Sequence, residues 1–524
     1  MSKCSNADER DIIADLISRS QEYIRGFEGD PSVVSLRDVQ RCIDLIRWFF
    51  LKVGVGRKGE NKRGGNVVIS PLGRSTMLSI AMVYGYRLPS AASRNSFFLQ
   101  ISSIVKRWGK TANRVNMDAL GRAGFAQTIL DNMTRRFVNN LVVEESIALN
   151  QALTENLFVS IICILNKIPI FIVGKPGTSK TLAIQIIASN LQGKQSPMPL
   201  WRNFPAVYIF QYQCSPLSTS SSILYQFEAA KSYQEHAEDV LTVLLLDEVG
   251  LAENSPDMPL KVLHYMLVDP PVAIVGLSNW VLDSSKMNRA VCLQRPEPSP
   301  EDIMFTGRNI VGVSAEVASA DSLDLPPQPV LTREKSGTTR LQPWLMNLAH
   351  AFHRLYSNQK EFFGANSRDF VGMRDYYSLL KHLRQEYTAH GSVSMTPEVL
   401  INAVARNFGG KPHALESIAT LFHSLCFPAA PQRCPDIPSA LSLIRENIAS
   451  TSSRHLMVLS TNDTALHLLF GSQVLNPKQT TVLVGSRFKD DLQELHIVQQ
   501  INQVSRMMLM MRYCCIVIRC IFAG

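Results

Sequence analysis

The stretch Pro169 to Thr181 reads PIFIVGKPGTSKT, and its pattern decides the fold. Ile170 to Val173 is a short apolar run of the kind that forms a buried parallel strand. The run stops at Gly174, and a loop of Gly174, Lys175, Pro176, Gly177, Thr178 and Ser179 follows. Lys180 and Thr181 then open an apolar-periodic helix, LAIQIIASNL. Strand, glycine-containing loop, Lys-Thr and helix make the phosphate-binding pattern. Loop N–H groups and the positive end of the helix face a polyphosphate. Lys180 reaches the outer phosphates, and the Thr181 hydroxyl is a ligand for Mg2+. The pattern departs at one place, because Ser179 stands where it has glycine. An ordinary strand–turn–helix with a surface lysine is the alternative for this stretch alone.

The second half of the machine lies downstream. Thr242 to Leu246 is an apolar run followed by Asp247 and Glu248. Acids at the carboxyl end of a buried strand sit where open α/β sheets bind ligands. Asp247 suits Mg2+, usually through water, and Glu248 suits a general base for water. A strand ending in two acids is common. It gains weight here from the phosphate loop before it, with one strand, AVYIF, between the two. The next strand, Pro271 to Leu277, ends in Ser278 and Asn279. Asn279 is placed to orient water at the terminal phosphate, or is a turn residue. Arg289 precedes a fifth strand, AVCLQ, and is placed to project from the domain edge into a neighbour's phosphate site, or is a surface arginine.

Composition bounds the rest. With 524 residues the prior is about three or four domains. An apolar content of 46% supplies packed cores, and 19% charged residues is too few for a largely disordered chain. The net charge of +9 is mild for this length and does not demand nucleic acid. The ten cysteines show no C-x-x-C and no zinc spacing, so a reducing compartment, the cytosol, is expected, with no zinc site. The polar N-terminus is no signal peptide. The apolar tail, MMLMMRYCCIVIRCIFAG, carries Arg512 and Arg519 and reads as a buried strand rather than a membrane anchor.

Six regions follow from patterning. Residues 1–56 are helical, and 57–145 form a helical connecting region containing the basic loop RKGENKRGG at 57–65. That loop lacks interleaved aromatics and reads as a solvated loop before it reads as an RNA contact. Residues 146–310 are the α/β core, 311–343 a Pro- and Ser-rich linker, 344–410 a helical block, and 411–524 the start of a further α/β unit. MPLKVLHYMLV is expected as one helix. VSLRDV at 34–39 echoes VGMRDY at 371–376, each near the start of an amphipathic helix.

At Lys180/Thr181, Asp247/Glu248, Asn279 and Arg289 the chain resembles the AAA+ ATPases. It is similar, more narrowly, to the mysterin-like giant AAA+ ubiquitin ligases. GKPGTSKT, QCSPLSTSSSI, LLLDEVGLAENSPDMPLKVLH, SNWVLDSSKMNRA and VGMRDYYSLLK carry that resemblance. It implies an AAA+ P-loop core with a helical lid, a mostly helical N-terminal region, and a dynein-like array of units. By the same resemblance, 1–56 is the lid of a preceding unit. Arg374 is the lid arginine that senses nucleotide, with Arg368 as the alternative. Arg289 acts on a neighbouring unit of the same or another chain. ATP over GTP rests on the resemblance, as do ubiquitin-pathway partners. The ligase region of that family has no counterpart in these residues. Two functions remain: an Mg2+-dependent ATPase, or a nucleotide-sensing scaffold without significant turnover. Nucleic-acid remodelling rests only on mild charge and one loop, and neither nucleic acid nor stable membrane insertion is expected.

Overall fold

The computed structural model describes residues 7–52, 69–144, 147–237, 239–253, 255–311, 342–364, 370–389, 395–428, 434–449, 455–459, 464–476, 480–484, 507–512 and 515–520. The basic loop 57–65 and Arg368 lie outside these residues. The chain forms two compact units. One comprises Met1–Ile310 with Gly372–Arg374, the other Val311–Val371 with Asp375–Gly524.

The first unit is built on a five-stranded sheet. Its strands are β1 (Ile170–Val173), β2 (Ala206–Gln213), β3 (Val240–Asp247), β4 (Ala273–Ser278) and β5 (Val291–Gln294). Their order is β2-β3-β4-β1-β5, and every pair is parallel. Parallel sheets are covered on both faces, which is why β1, β3 and β4 read as unbroken apolar runs. The side chains alternate between two cores. Ile170, Ile172, Val243, Leu245, Val275 and Leu277 point into one, and Phe171, Val173, Leu244, Leu246 and Ile274 into the other. Each such buried side chain contributes roughly 1.5–3 kcal/mol relative to exposure.

Helices fill both faces. The first core joins the sheet to α1 (Ala7–Glu28), α2 (Leu36–Lys52), α3 (Pro71–Val83), α4 (Ala91–Arg114), α5 (Phe125–Val138), α6 (Gln151–Leu165) and α7 (Lys180–Asn190). Helix α1 shows why: Ile12, Ile13, Leu16, Ile17 and Ile24 recur at helical spacing and are all buried. The second core is closed by α8 (Ser220–His236) through Ile223, Phe227 and Ala230. Its Thr219 accepts the Ser222 N–H as N-cap. MPLKVLHYMLV is not one helix. It is a 3-10 turn, Pro259–Val262, followed by one α turn, Leu263–Met266. The left-handed backbone of Met258 (φ 45°) and Asp269 (φ 49°) brackets the two and leaves no room for more turns.

β1 and β4 approach closely. Phe171 lies opposite Gly276 in the register, and a Cβ on Gly276 would stand 2.4 Å from the Phe171 ring. Only glycine fits beneath that ring.

The second unit has a helical part and a small sheet. Helices Gln342–Ser357, Met373–Ala389 (from Asp375 on), Pro397–Phe408 and Pro412–Cys426 contribute Phe352, Tyr376, Phe408 and Phe422 to an aromatic core. The rings of Phe352 and Tyr376 stack at 4.6 Å. The sheet has the order β6-β9-β8-β7, with β6 (His455–Leu459), β7 (Thr480–Val484), β8 (Met507–Arg512) and β9 (Cys515–Cys520). β7 and β8 are parallel and the other pairs antiparallel. The apolar tail thus supplies two strands where one was expected.

Candidate functional site

The strand order brings three chain segments together at the carboxyl edge of the sheet. β1 lies between β4 and β5, so the loop from Gly174 leaves an interior strand of the sheet. The Gly174 N–H donates to Ser278 O at 3.1 Å, which sets the loop beside the tip of β4. β3 lies on the other side of β4 and delivers Asp247 and Glu248. This is the crevice in which open parallel sheets hold ligands.

The loop turns through left-handed backbone at two positions. Gly177 has φ +86°, a conformation natural to glycine. Ser179 takes the left-handed conformation too (φ 58°, ψ 28°) and stands as N-cap of α7 without a side-chain cap bond. For a non-glycine residue that backbone costs about 1–2 kcal/mol, which is the physical content of the missing glycine. Thr178 closes the turn by donating to Lys175 O at 2.9 Å. Lys175 pairs with Glu297 at 2.8 Å on the surface. Pro176 removes one donor from the loop, and the Gly174 N–H is taken by Ser278 O.

The side chains form a connected chain. The Lys180 ammonium donates to Gly174 O, to Lys175 O at 3.3 Å and to Asn279 Oδ1 at 2.8 Å. The Asn279 amide donates onward to Glu248 Oε2 at 2.6 Å. Thr181 Oγ1 donates to Asp247 Oδ2 at 3.4 Å, and Asp247 Oδ1 accepts the Glu248 N–H at 3.0 Å. Glu248 itself has φ +52°, the left-handed backbone that aims its carboxylate at Asn279. Burial pushes the Lys180 ammonium down to about 8. The carboxylates of Glu248 and Asp247 work against this shift, and the Arg374 charge adds to it. The pair Thr181–Asp247 supplies hard oxygen donors of the kind Mg2+ takes. Among the described residues no group of three His, Cys, Asp or Glu side chains could hold a metal ion.

Arg289 stands apart from this chain. Its Nε donates to Ser285 O at 3.1 Å and its Nη1 to His264 O at 2.8 Å. The neighbouring Asn288 is held by the N-terminal region: its carbonyl accepts from Arg41 at 3.2 Å, and its amide donates to Ser32 O at 3.3 Å. Arg374 is exposed and belongs to the segment Gly372–Arg374 of the first unit.

Sequence reasoning missed two supports on α6. Asn156, fully buried, donates to Thr178 O at 2.9 Å. Glu155, also buried, accepts from Arg94 at 2.9 Å and from Arg295. A Glu-Asn pair inside the mostly apolar LTENLFVSIICIL was the available signal, since buried polar groups need partners.

A family profile described as RNF213 AAA domain matches residues 146–302, and a second of that description matches 445–521. The E3 ubiquitin-protein ligase RNF213 of Homo sapiens is 31% identical over 533 residues, covering 94% of this chain and 9% of that protein. The Mus musculus protein of the same name is 32% identical, covering 95% and 9%. The chain resembles the AAA+ core of RNF213. This RNF213-like chain spans 9% of the length of the curated relatives it matches. The first matched segment holds β1 to β5 and every residue of the Lys180–Asn279–Glu248 chain. The second overlies β6 to β9. The solved structure of C. elegans PCH-2 aligns with TM-score 0.28 and 14% identity over 56% of this chain and 72% of its own, a likeness that carries no argument. In the RNF213-like chain no helix among the described residues is long and apolar enough to cross a membrane.

Proposed function

We propose that residues 146–310 are an ATP-binding and ATP-hydrolysing AAA+ module that works mechanically within a longer RNF213-like ubiquitin ligase. The observation that carries this reading is the hydrogen-bonded chain Lys180–Asn279–Glu248 beside Thr181–Asp247. It joins a phosphate-binding cation, a polar orienter and a carboxylate base at one point of the sheet edge.

In this reading the amides of 177–181 and the Lys180 ammonium hold the phosphates, the Gly174 N–H being spent on Ser278 O. Glu248 takes the proton of the attacking water, and Asn279 fixes the direction of that carboxylate. Thr181 and Asp247 hold Mg2+, which when bound neutralises charge on the phosphate oxygens. Catalysis is then positioning plus charge stabilisation. Arg289 serves a neighbouring AAA+ unit of the same or another chain and must leave Ser285 O and His264 O to do so. Arg374 is the lid arginine that senses nucleotide. The module works in the cytosol. Ubiquitin transfer and ubiquitin-pathway partners belong to the longer polypeptide.

One observation favours a nucleotide-sensing scaffold as the second reading. The Glu248 carboxylate is already engaged by Asn279, and Arg289 by its own backbone neighbours. ATP turnover by the purified chain, beside Lys180→Ala and Glu248→Gln, separates the two. Turnover lost in both variants, with binding kept in Glu248→Gln, supports the ATPase. Tight ATP binding without turnover in the parent supports the scaffold, and a folded chain that binds no nucleotide refutes both.

A further inference from the structure

We propose that Glu155 is a positioning residue for the phosphate loop, acting through Arg295 to fix where the loop leaves β1. The proposal rests on the nucleotide-site reading above.

Arg295 follows β5 directly, and its N–H donates to Val173 O at 2.7 Å. That bond pins it beside the last residue of β1. Its Cβ and Cγ lie 2.7 and 2.8 Å from where a Cβ on Gly174 would stand. The arginine stem therefore presses on the bare Cα of the first loop residue, and its placement sets the placement of Gly174. The other end of Arg295 is set by Glu155. Glu155 Oε2 accepts from Nη1 of Arg295 and from Nη1 of Arg94 at 2.9 Å, and Oε1 accepts from Gln151 at 2.8 Å. The side chains of Arg295 and Glu155 are 2% and 8% exposed, so this is a dry, charge-assisted contact.

The next residue of the same helix completes the device. Asn156 donates to Thr178 O at 2.9 Å. Consecutive residues of α6 thus hold both ends of the loop, Glu155 at Gly174 through Arg295 and Asn156 at Thr178 directly. The Gly174 carbonyl is also a partner of the Lys180 ammonium. A displaced Gly174 therefore moves the lysine as well as the amides. Arg94 braces the same corner less directly: its remaining donors go to Leu88 O, Tyr86 O and Gln294 O, the last being the carbonyl of the peptide that carries the Arg295 N–H.

The two arginines allow a discriminating test. Arg295→Met and Arg94→Met each remove one guanidinium from the same carboxylate, so a merely structural triad responds alike to both. The affinity of the folded chain for a fluorescent ATP analogue is measured, with melting followed without nucleotide. Arg295→Met is expected to raise Kd at least about tenfold, because small misplacements of a positioned group are costly. Arg94→Met leaves the Arg295 guanidinium on Glu155 and its stem on Gly174, and is expected to raise Kd by less than Arg295→Met does, whatever its melting temperature. Arg295→Lys, which keeps the stem and a charge for Glu155, is expected to restore most of the affinity. If Arg295→Met does not fold, Glu155→Asp replaces it, keeping the charge but shortening the arm, with the same tenfold expectation. A parental Kd in the positioning variant, or equal changes in the two arginine variants, overturns the proposal. Lys180→Ala in the same assay separates the failures: parental affinity there removes the nucleotide site itself, whereas its loss leaves only the role of Glu155 in question.

Discussion

Gly276→Ala adds one methyl group at a crowded point between β1 and β4, beneath the loop that follows β1. The new Cβ would stand 2.4 Å from two carbons of the Phe171 ring. Carbon pairs rest near 3.5–4.0 Å, so the ring must retreat by more than about 1 Å. Phe171 is 1% exposed in a closed core, so it cannot move alone. Overpacking of this kind costs typically 1–3 kcal/mol, and the depth of the clash puts Gly276→Ala near the upper end, about 3 kcal/mol. Because the clash lies between β1 and β4, it also displaces Gly174 from Ser278 and Lys180 from Asn279. The assay is a double-mutant cycle in urea, following the unfolding of the first unit through the buried Trp201, with Phe171→Leu as the second change. Leucine vacates the ring's volume, so the double variant is expected to recover at least about 1 kcal/mol relative to additivity. Additive effects, or a Gly276→Ala chain that unfolds at the parental urea concentration, would refute the packing argument.

Glu155 gives a pH prediction. Burial alone would raise its pKa, but Arg295 and Arg94 hold the carboxyl down at about 2 against a usual 4.5. A depressed acid contributes stability above its unfolded value, and this is lost as pH falls from about 4.5 toward 2, a contribution on the order of 3 kcal/mol. Glu155→Gln should therefore be less stable than the parent at pH 7, with the gap closing below pH 4; a gap constant with pH in urea melts would count against it. Ser179→Gly removes the left-handed strain at the loop and should raise the melting temperature slightly or leave it level, the relief being partly offset by glycine's chain entropy, a net gain of about 0–1 kcal/mol. A clear loss of stability would show that the Ser179 side chain matters in its own right. Asn279→Ala unties Lys180 from Glu248 and is expected to lower turnover by about 10- to 100-fold with a smaller change in ATP affinity; an equal loss in both would make Asn279 a binding group.

The readable parts of the molecule are those held by local pattern. IFIV and TVLLL are buried on both faces, so composition alone marks them as parallel strands. The loop after β1, the acids after β3 and Asn279 after β4 each sit at the end of such a run. What could not be read depends on contacts between distant residues. Arg94 and Arg295 lie 61 and 140 positions from Glu155, and nothing local marks them as its partners. Arg289 was visible as a residue, but the carbonyls of Ser285 and His264 that hold it were not. The expected helix at 258–268 failed for a backbone reason, since its apolar spacing was correct while left-handed Met258 and Asp269 cut it short.

The strand order has a consequence for synthesis. β1 is paired only with β4 and β5, yet it leaves the ribosome before either of them. The distance from Val173 to Ala273 is 100 residues, 273 − 173, which translation at about 5–20 residues per second covers in roughly 5–20 s. Throughout that interval IFIV has no strand to pair with. The nascent chain must carry its most apolar β segment unpaired, and slowing elongation between residues 174 and 273 would prolong the stage at which misassembly competes with folding.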